Sequence, residues 1–171
     1  VVFDGDQGDS GSAVVMWDGR YQTLTLDAYG SGGGAEVWLR NRKGTSTVVF
    51  DGDQGDSGSA VVMWDGRYQT VSLDANGSGG GGELDLRNSK GTTTARLDGD
   101  YYDDSILALY DDSGRGSIIL YSDSIASAPE LSMYASNGTA ETVQILGEKS
   151  SNTGAHMLLR RAAGQSTVEL D

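Results

Sequence analysis

The chain has 171 residues, of which 25 are acidic and 12 basic, and its formal net charge of −13 disfavours nucleic acid or an anionic membrane surface as a partner. It has no cysteine, which excludes disulfide frameworks and thiolate metal sites. No apolar run is long enough for a membrane-spanning helix, so we expect no membrane insertion, and 26 glycines disfavour helix in general.

A 47-residue tandem repeat is the first feature along the chain. Residues 1–23 recur without a change as residues 48–70. The half-copies that follow, 24–47 and 71–94, agree at 16 of 24 positions, and a degraded copy begins at Ala95. Each repeat is too small to form a core without its neighbours. We therefore predict one repetitive β fibre segment over residues 1–171, with copies at 1–47, 48–94 and 95–141 and a diverged continuation over 142–171.

A shorter rhythm of about twelve residues lies within the repeat, as two apolar residues separated by one residue and followed by turn-forming residues. This spacing places both apolar residues on one face of a short strand, and Gly, Asp, Asn and Ser between the pairs favour turns. The segment 124–132 around Pro129 is the exception, a bulge or short helical turn. The pairs are Val1/Phe3, Val14/Met16, Leu24/Leu26, Val37/Leu39, Val48/Phe50, Val61/Met63, Val71/Leu73, Leu84/Leu86, Ala95/Leu97, Leu107/Leu109, Ile118/Leu120, Leu131/Met133, Val143/Ile145, Met157/Leu159 and Val168/Leu170.

The residue after each pair alternates in character along the chain. We predict that the two series lie along two separate lines on the surface. The first series is Asp4, Asp27, Asp51, Asp74, Asp98 and Tyr121, and the second is Trp17, Arg40, Trp64, Arg87, Tyr110, Tyr134 and Arg160.

The number of apolar residues bears on whether one chain can form a core. Each pair of strands supplies only about four inward apolar residues, which is too few to offset the ordering entropy of the chain. In a single-chain parallel β-solenoid the Asp series could also stack at about 4.8 Å, at a repulsive cost. The favoured fold is therefore all-β, a triple-stranded β-helix of three intertwined chains, with the solenoid as the alternative. We expect burial of Phe50, Val61, Met63 and Leu73, whereas Thr25 and Ser72 should tolerate Asp.

Tandem strands such as ELDLRNSKGTTTARLDGD, residues 83–100, give the chain a family resemblance. In this succession of short strands the chain resembles the shaft repeats of bacteriophage tail fibres and related trimeric β-helical fibres. The resemblance implies a homotrimer that spaces a receptor-binding or glycan-degrading tip from its anchor. Departures from the family are the missing octapeptide repeat of cell-puncturing needles and the lack of a chaperone-like trimerisation tail.

Acidic clusters with D-x-D-x-x-D spacing offer hard oxygen ligands that suit calcium. Neither an EF-hand loop nor a nonapeptide β-roll motif is completed, and Asp-Gly turns at strand ends account for the same residues. We therefore expect no cofactor and keep Ca²⁺ as the alternative. The candidate ligands are Asp4, Asp6, Asp9, Asp51, Asp53, Asp56, Asp98, Asp100 and Asp103.

Recurring aromatic residues are candidates for stacking on a sugar along a fibre, but we expect them to pack between chains, with sugar stacking as the alternative. Carboxylate pairs recur with the repeat, His156 is the single histidine, and no nucleophile motif occurs, so we expect no catalysis. The candidate glycan-binding residues are Trp17, Tyr21, Trp64, Tyr68, Tyr110 and Tyr134.

The predicted function is that of a non-catalytic structural fibre or shaft segment, part of an extracellular or virion appendage that spaces an adhesive tip. Its expected partners are copies of itself, as a homotrimer or a filament, with a cell-surface glycan as a further candidate. The alternatives are a glycan- or receptor-binding fibre surface and a calcium-stabilised secreted β-repeat protein.

Overall fold

A computed structural model describes ten stretches of the chain and divides it into two units, Val1–Gly91 and Thr92–Asp171. All the secondary-structure elements among the described residues are strands, which confirms the all-β class. No helix in this part of the chain has the length and hydrophobicity that crossing a membrane requires. The described residues are 1–7, 11–29, 34–53, 58–77, 80–101, 104–122, 129–135, 140–147, 156–160 and 166–170.

The strands follow the predicted rhythm. Each apolar pair falls within one strand, apart from Val1, which directly precedes β1. Most of the segment 124–132 lies outside the described residues, and its end belongs to β12. The first unit contains β1 Val2–Gln7, β2 Gly11–Asp18, β3 Tyr21–Asp27, β4 Glu36–Arg40, β5 Ser46–Asp51, β6 Ala60–Trp64, β7 Gln69–Asp74 and β8 Glu83–Arg87. The second contains β9 Thr93–Tyr101, β10 Asp104–Tyr110, β11 Gly116–Tyr121, β12 Glu130–Tyr134, β13 Glu141–Leu146, β14 His156–Arg160 and β15 Ser166–Leu170.

Within each unit every strand pairs antiparallel with the next one along the chain. The parallel solenoid is therefore wrong. The connections explain why, because a parallel pair needs a crossover of a dozen or more residues, whereas an antiparallel pair needs only a tight turn. Between β4 and β5, Asn41 Oδ1 accepts hydrogen bonds from the backbone N–H of Lys43 at 2.8 Å and of Thr45 at 3.2 Å, and Gly44 adopts a φ of 78°.

One face of the first unit is entirely apolar, and we call it the apolar face. Because successive strands are antiparallel, the register forms two rows in which second and first members of the pairs alternate, and neither row contains a polar residue. One row consists of Phe3, Val14, Leu26, Val37, Phe50, Val61, Leu73 and Leu84, and the other of Met16, Leu24, Leu39, Val48, Met63, Val71 and Leu86.

The second unit has an apolar face of the same kind. Its two register rows run through β9 to β15 and again contain only apolar residues. These rows are Ala95, Leu109, Ile118, Met133, Val143, Leu159 and Val168, and Leu97, Leu107, Leu120, Leu131, Ile145, Met157 and Leu170.

The predicted core residues lie on this apolar face and are not buried in the single chain. Phe50 is 44% exposed, Met63 39% and Leu73 45%. Described elements contact only the strands next to them in the chain, so no second layer of the same chain covers this face, and the burial of these residues in a core shared by several chains stays a prediction. Val49 and Val62, on the opposite face, are buried instead.

The opposite face, here called the polar face, mixes small apolar residues with charged, aromatic and amide side chains. Long side chains fold across it: Arg40 donates hydrogen bonds to Thr25 Oγ1 at 2.8 Å and to Gln22 Oε1 at 3.2 Å. Arg87 does the same in the second repeat, with an ion pair to the fully buried Asp85 at 3.0 Å. The buried residues of this face include Val15, Val49 and Val62, so this face is the more buried one.

The antiparallel register places the two series along two separate lines, as predicted, although Asp98 in the first series is fully buried. Successive strands run in opposite directions, so the residue that follows each pair lies alternately at one side of the sheet and at the other, where the strands end. The second series carries a β-bulge at the same place in successive hairpins, for example between Met16 and Trp17 and between Met63 and Trp64. A bulge bends its strand and increases the local twist. The extra twist is therefore repeated along one edge.

The antiparallel order also changes the electrostatic argument for intertwined chains. Asp27 and Asp51 lie two strands apart, about 10 Å, but Glu36 on the strand between them aligns with both. Ala13 and Ala60 interrupt the acidic row, since each aligns between two aspartates. Strands of the same chain thus separate the aspartates only at the alanine positions, and intertwining of the chains is not confirmed.

Candidate functional site

A groove of about 420 Å³ lies on the polar face of the first unit. Trp38 on β4 and Trp64 on β6 line it, and β5 passes between those two strands. Val49 and Val62 are also in the lining, and they are only 8% and 4% exposed. Small buried side chains beside two indoles leave a concave apolar surface, which we call the Trp38–Trp64 groove.

The Trp38 indole is held in place by two contacts. Its Nε1 donates a hydrogen bond to Glu36 Oε2 at 2.6 Å, and Glu36 is only 6% exposed. The Arg40 guanidinium lies 5.2 Å from the ring centroid, a cation–π distance. Arg40 is itself anchored by its bond to Thr25. The indole is thus oriented before any ligand arrives.

Polar groups of both kinds line the same groove. Asp51 and Gln69 supply acceptor oxygens, and Arg67 supplies guanidinium donors. Asp51 Oδ1 already accepts a bond from the backbone N–H of Asp53 at 3.0 Å, which leaves its second oxygen outside that bond. An apolar concavity with a few convergent polar groups is the usual form of a small-ligand site.

Trp64 is the one predicted glycan-binding residue among the described lining of this groove. Trp17, its equivalent in the first repeat, is 50% exposed and does not line it. Tyr21 and Tyr68 instead pack on turn glycines. A Cβ added to Gly44 would lie 3.1 Å from Tyr21 Cδ1, and one added to Gly91 would lie 2.9 Å from Tyr68 Cδ1.

The remaining predicted aromatic residues belong to the second unit. Tyr110 and Tyr134 end β10 and β12 and are half-buried. Desolvation by burial raises the pKa of Tyr134, and a hydrogen bond with the Ser132 side chain acts in the opposite direction. His156 begins β14 opposite Leu146, and it is half-buried as well. The structure does not bring these residues into the Trp38–Trp64 groove.

The predicted calcium ligands are found in turn bonds where they are described. Asp98 Oδ1 accepts the backbone N–H of Asp100 at 3.0 Å, as Asp51 does for Asp53. Asp98 is fully buried, and its Oδ2 has no hydrogen-bond partner among the described residues. Within the described ranges no three His, Cys, Asp or Glu side chains converge on a common point. The structure does not describe the side chains of Asp6, Asp9, Asp56 and Asp103.

Sequence reasoning missed Trp38 and Glu36. A usable signal was present, because the second repeat has Asp85 where the first has Trp38, the most drastic of the differences between the two half-copies. The groove therefore belongs to one place in the chain, although the strands around it are repeated.

No protein-family model matches the chain, and no curated protein shows significant similarity to it.

Proposed function

We propose that this chain is a non-catalytic structural segment of a fibre or shaft that assembles with copies of itself through the apolar face. The observation that supports this is the unbroken pair of apolar rows in each unit. Residues in these rows are exposed to solvent: Phe3 is 79% exposed, Phe50 44% and Leu97 52%. Contiguous apolar patches larger than a few hundred Å² mark interaction sites in soluble proteins.

The area of the apolar face is sufficient for a stable interface. Two apolar positions occupy about 14 Å of a strand, and neighbouring strands lie about 4.8 Å apart. Fifteen strands then contribute on the order of 1,000 Å² per chain. Standard protein interfaces bury about 800 Å² per partner, so a second layer made of the same chain meets the requirement.

Three copies fit this face better than two. Packed sheets lie about 10 Å apart, so each sheet stands about 5 Å from the centre of the core it shares. Three walls at that distance from an axis form a triangle with sides of about 17 Å, the length of a five-residue strand. Strands β4, β6 and β8 have five residues each. In this homotrimer the three copies of a unit each supply that unit's apolar face as one wall.

A two-copy sandwich would leave both long sides of the apolar rows open to water. In the three-walled arrangement each side meets the next wall, and the polar face of every chain points outward. An acidic outer surface with a net charge of −13 per chain keeps such an assembly soluble. This suits an extracellular or virion appendage in which the segment separates an adhesive tip from its anchor.

The mass in solution tests the proposal. Light scattering after size-exclusion chromatography should give about three times the 17.9 kDa chain mass, independent of moderate dilution. A mass of two chains would support the sandwich instead. A stable single chain that binds no hydrophobic dye would contradict self-assembly altogether.

A further inference from the structure

We propose that the Trp38–Trp64 groove binds a neutral carbohydrate, with the indoles stacked on the apolar C–H face of a sugar ring. The groove lies on the polar face, opposite the apolar face used for assembly, so the inference does not depend on the oligomer. Its volume of about 420 Å³ lies within the usual range for ligand sites.

The chemistry of the lining matches a sugar on both of its surfaces. A pyranose ring has an apolar C–H face, which the Trp38 and Trp64 indoles complement, and a rim of hydroxyl groups. Each hydroxyl both donates and accepts hydrogen bonds. Asp51 and Gln69 supply acceptors for such a rim, and Arg67 supplies donors.

The charges in the groove select against other small ligands. Glu36 and Asp51 place two carboxylates there, which disfavours an anion. Arg67 places a guanidinium in the same lining, which disfavours a cation, and Arg40 already occupies a cation–π position on Trp38. A neutral, hydroxyl-rich ligand meets neither repulsion.

Trp38 makes this site specific to one place in the chain. In the second repeat Asp85 takes its position and accepts a charged hydrogen bond from Arg87 at 3.0 Å. The substitution Trp38→Asp therefore reproduces an arrangement that the same fold already contains, with Arg40 in the role of Arg87. It removes the indole and lets the new carboxylate pair with Arg40, as Asp85 pairs with Arg87 on β8.

The experiment is a glycan array followed by titration calorimetry of the full chain with the neutral oligosaccharides that score highest. We expect millimolar or tighter binding that weakens about tenfold or more in Trp38→Asp and in Trp64→Ala. Trp17→Ala is the matched control, because this equivalent indole lies outside the groove lining, and it should bind as the unmodified chain does.

Three results would overturn the proposal. The first is no array signal above that of Trp38→Asp. The second is binding that Trp38→Asp leaves unchanged while the strand content measured by circular dichroism is retained. The third is a Trp38-dependent response to choline with no response to neutral sugars, which would identify the groove as a cation site.

Discussion

Phe50→Asp is the most direct perturbation of the apolar face. Phe50 is 44% exposed in the single chain. A Phe side chain has about 200 Å² of surface, so burying its exposed part in the trimer removes about 90 Å² from water. At about 25 cal/mol per Å² this contributes about 2 kcal/mol per chain, and about 6 kcal/mol for three chains. The trimer association constant should therefore fall roughly 10⁴-fold, and further because a carboxylate would be desolvated in the core.

Sedimentation equilibrium measures this change directly, since the variant should dissociate at concentrations where the unmodified chain remains assembled. Thr25→Asp is the control, because Thr25 lies on the polar face, where Arg40 Nη1 contacts its hydroxyl at 2.8 Å and would pair with the new carboxylate. Ser72 is a poorer control than its sequence position implies, since its register partner on β8 is the buried Asp85. An unchanged mass and melting temperature for Phe50→Asp would refute assembly through this face.

Further measurements test the turns and the second unit. Millimolar calcium should leave the melting temperature nearly unchanged, because backbone N–H groups already occupy the turn carboxylates; a rise of many degrees that Asp53→Asn abolishes would establish a calcium site. Gly91→Ala should destabilise the chain by more than Gly19→Ala, as judged by urea unfolding. Both glycines have positive φ, but only at Gly91 would the new Cβ lie 2.9 Å from the Tyr68 ring; equal losses would contradict that packing. Burial, as the largest cause, raises the pKa of Tyr121 above 10.0. Its phenol should therefore ionise late in an absorbance titration, with its stabilising contribution lost as the pH rises through the folded-state pKa; early ionisation that Tyr121→Phe removes would contradict this.

The strands and their two edges could be predicted from the sequence because apolar spacing of two residues dictates which side chains share a face. Strand direction was open to prediction as well, since turns as short as Asn41–Thr45 permit only antiparallel neighbours. The burial of Phe50 could not be judged in the same way. Periodicity identifies a face that avoids water, but it does not say whether the same chain or another chain covers it.

The Trp38–Trp64 groove was harder to predict than the fold. Its members come from four adjacent strands and share no motif, and the repeat directs attention to residues that recur, such as Trp17 and Trp64. Trp38 is informative for the opposite reason, because a position that departs from its own repeat is free of the repeat's architectural role. Only the register shows that Trp38 and Trp64 line one concavity.

The four-strand length of the repeat has a consequence for how such a chain changes over generations. Recombination between the identical stretches 1–23 and 48–70 would delete or duplicate one 47-residue block. Because a block contains an even number of strands, the chain re-enters the sheet in the same direction, with the same face and the same edges. Losing a single strand would instead reverse every strand that follows. Recombination can therefore lengthen or shorten the sheet in steps of about 19 Å without passing through a chain whose later strands are reversed.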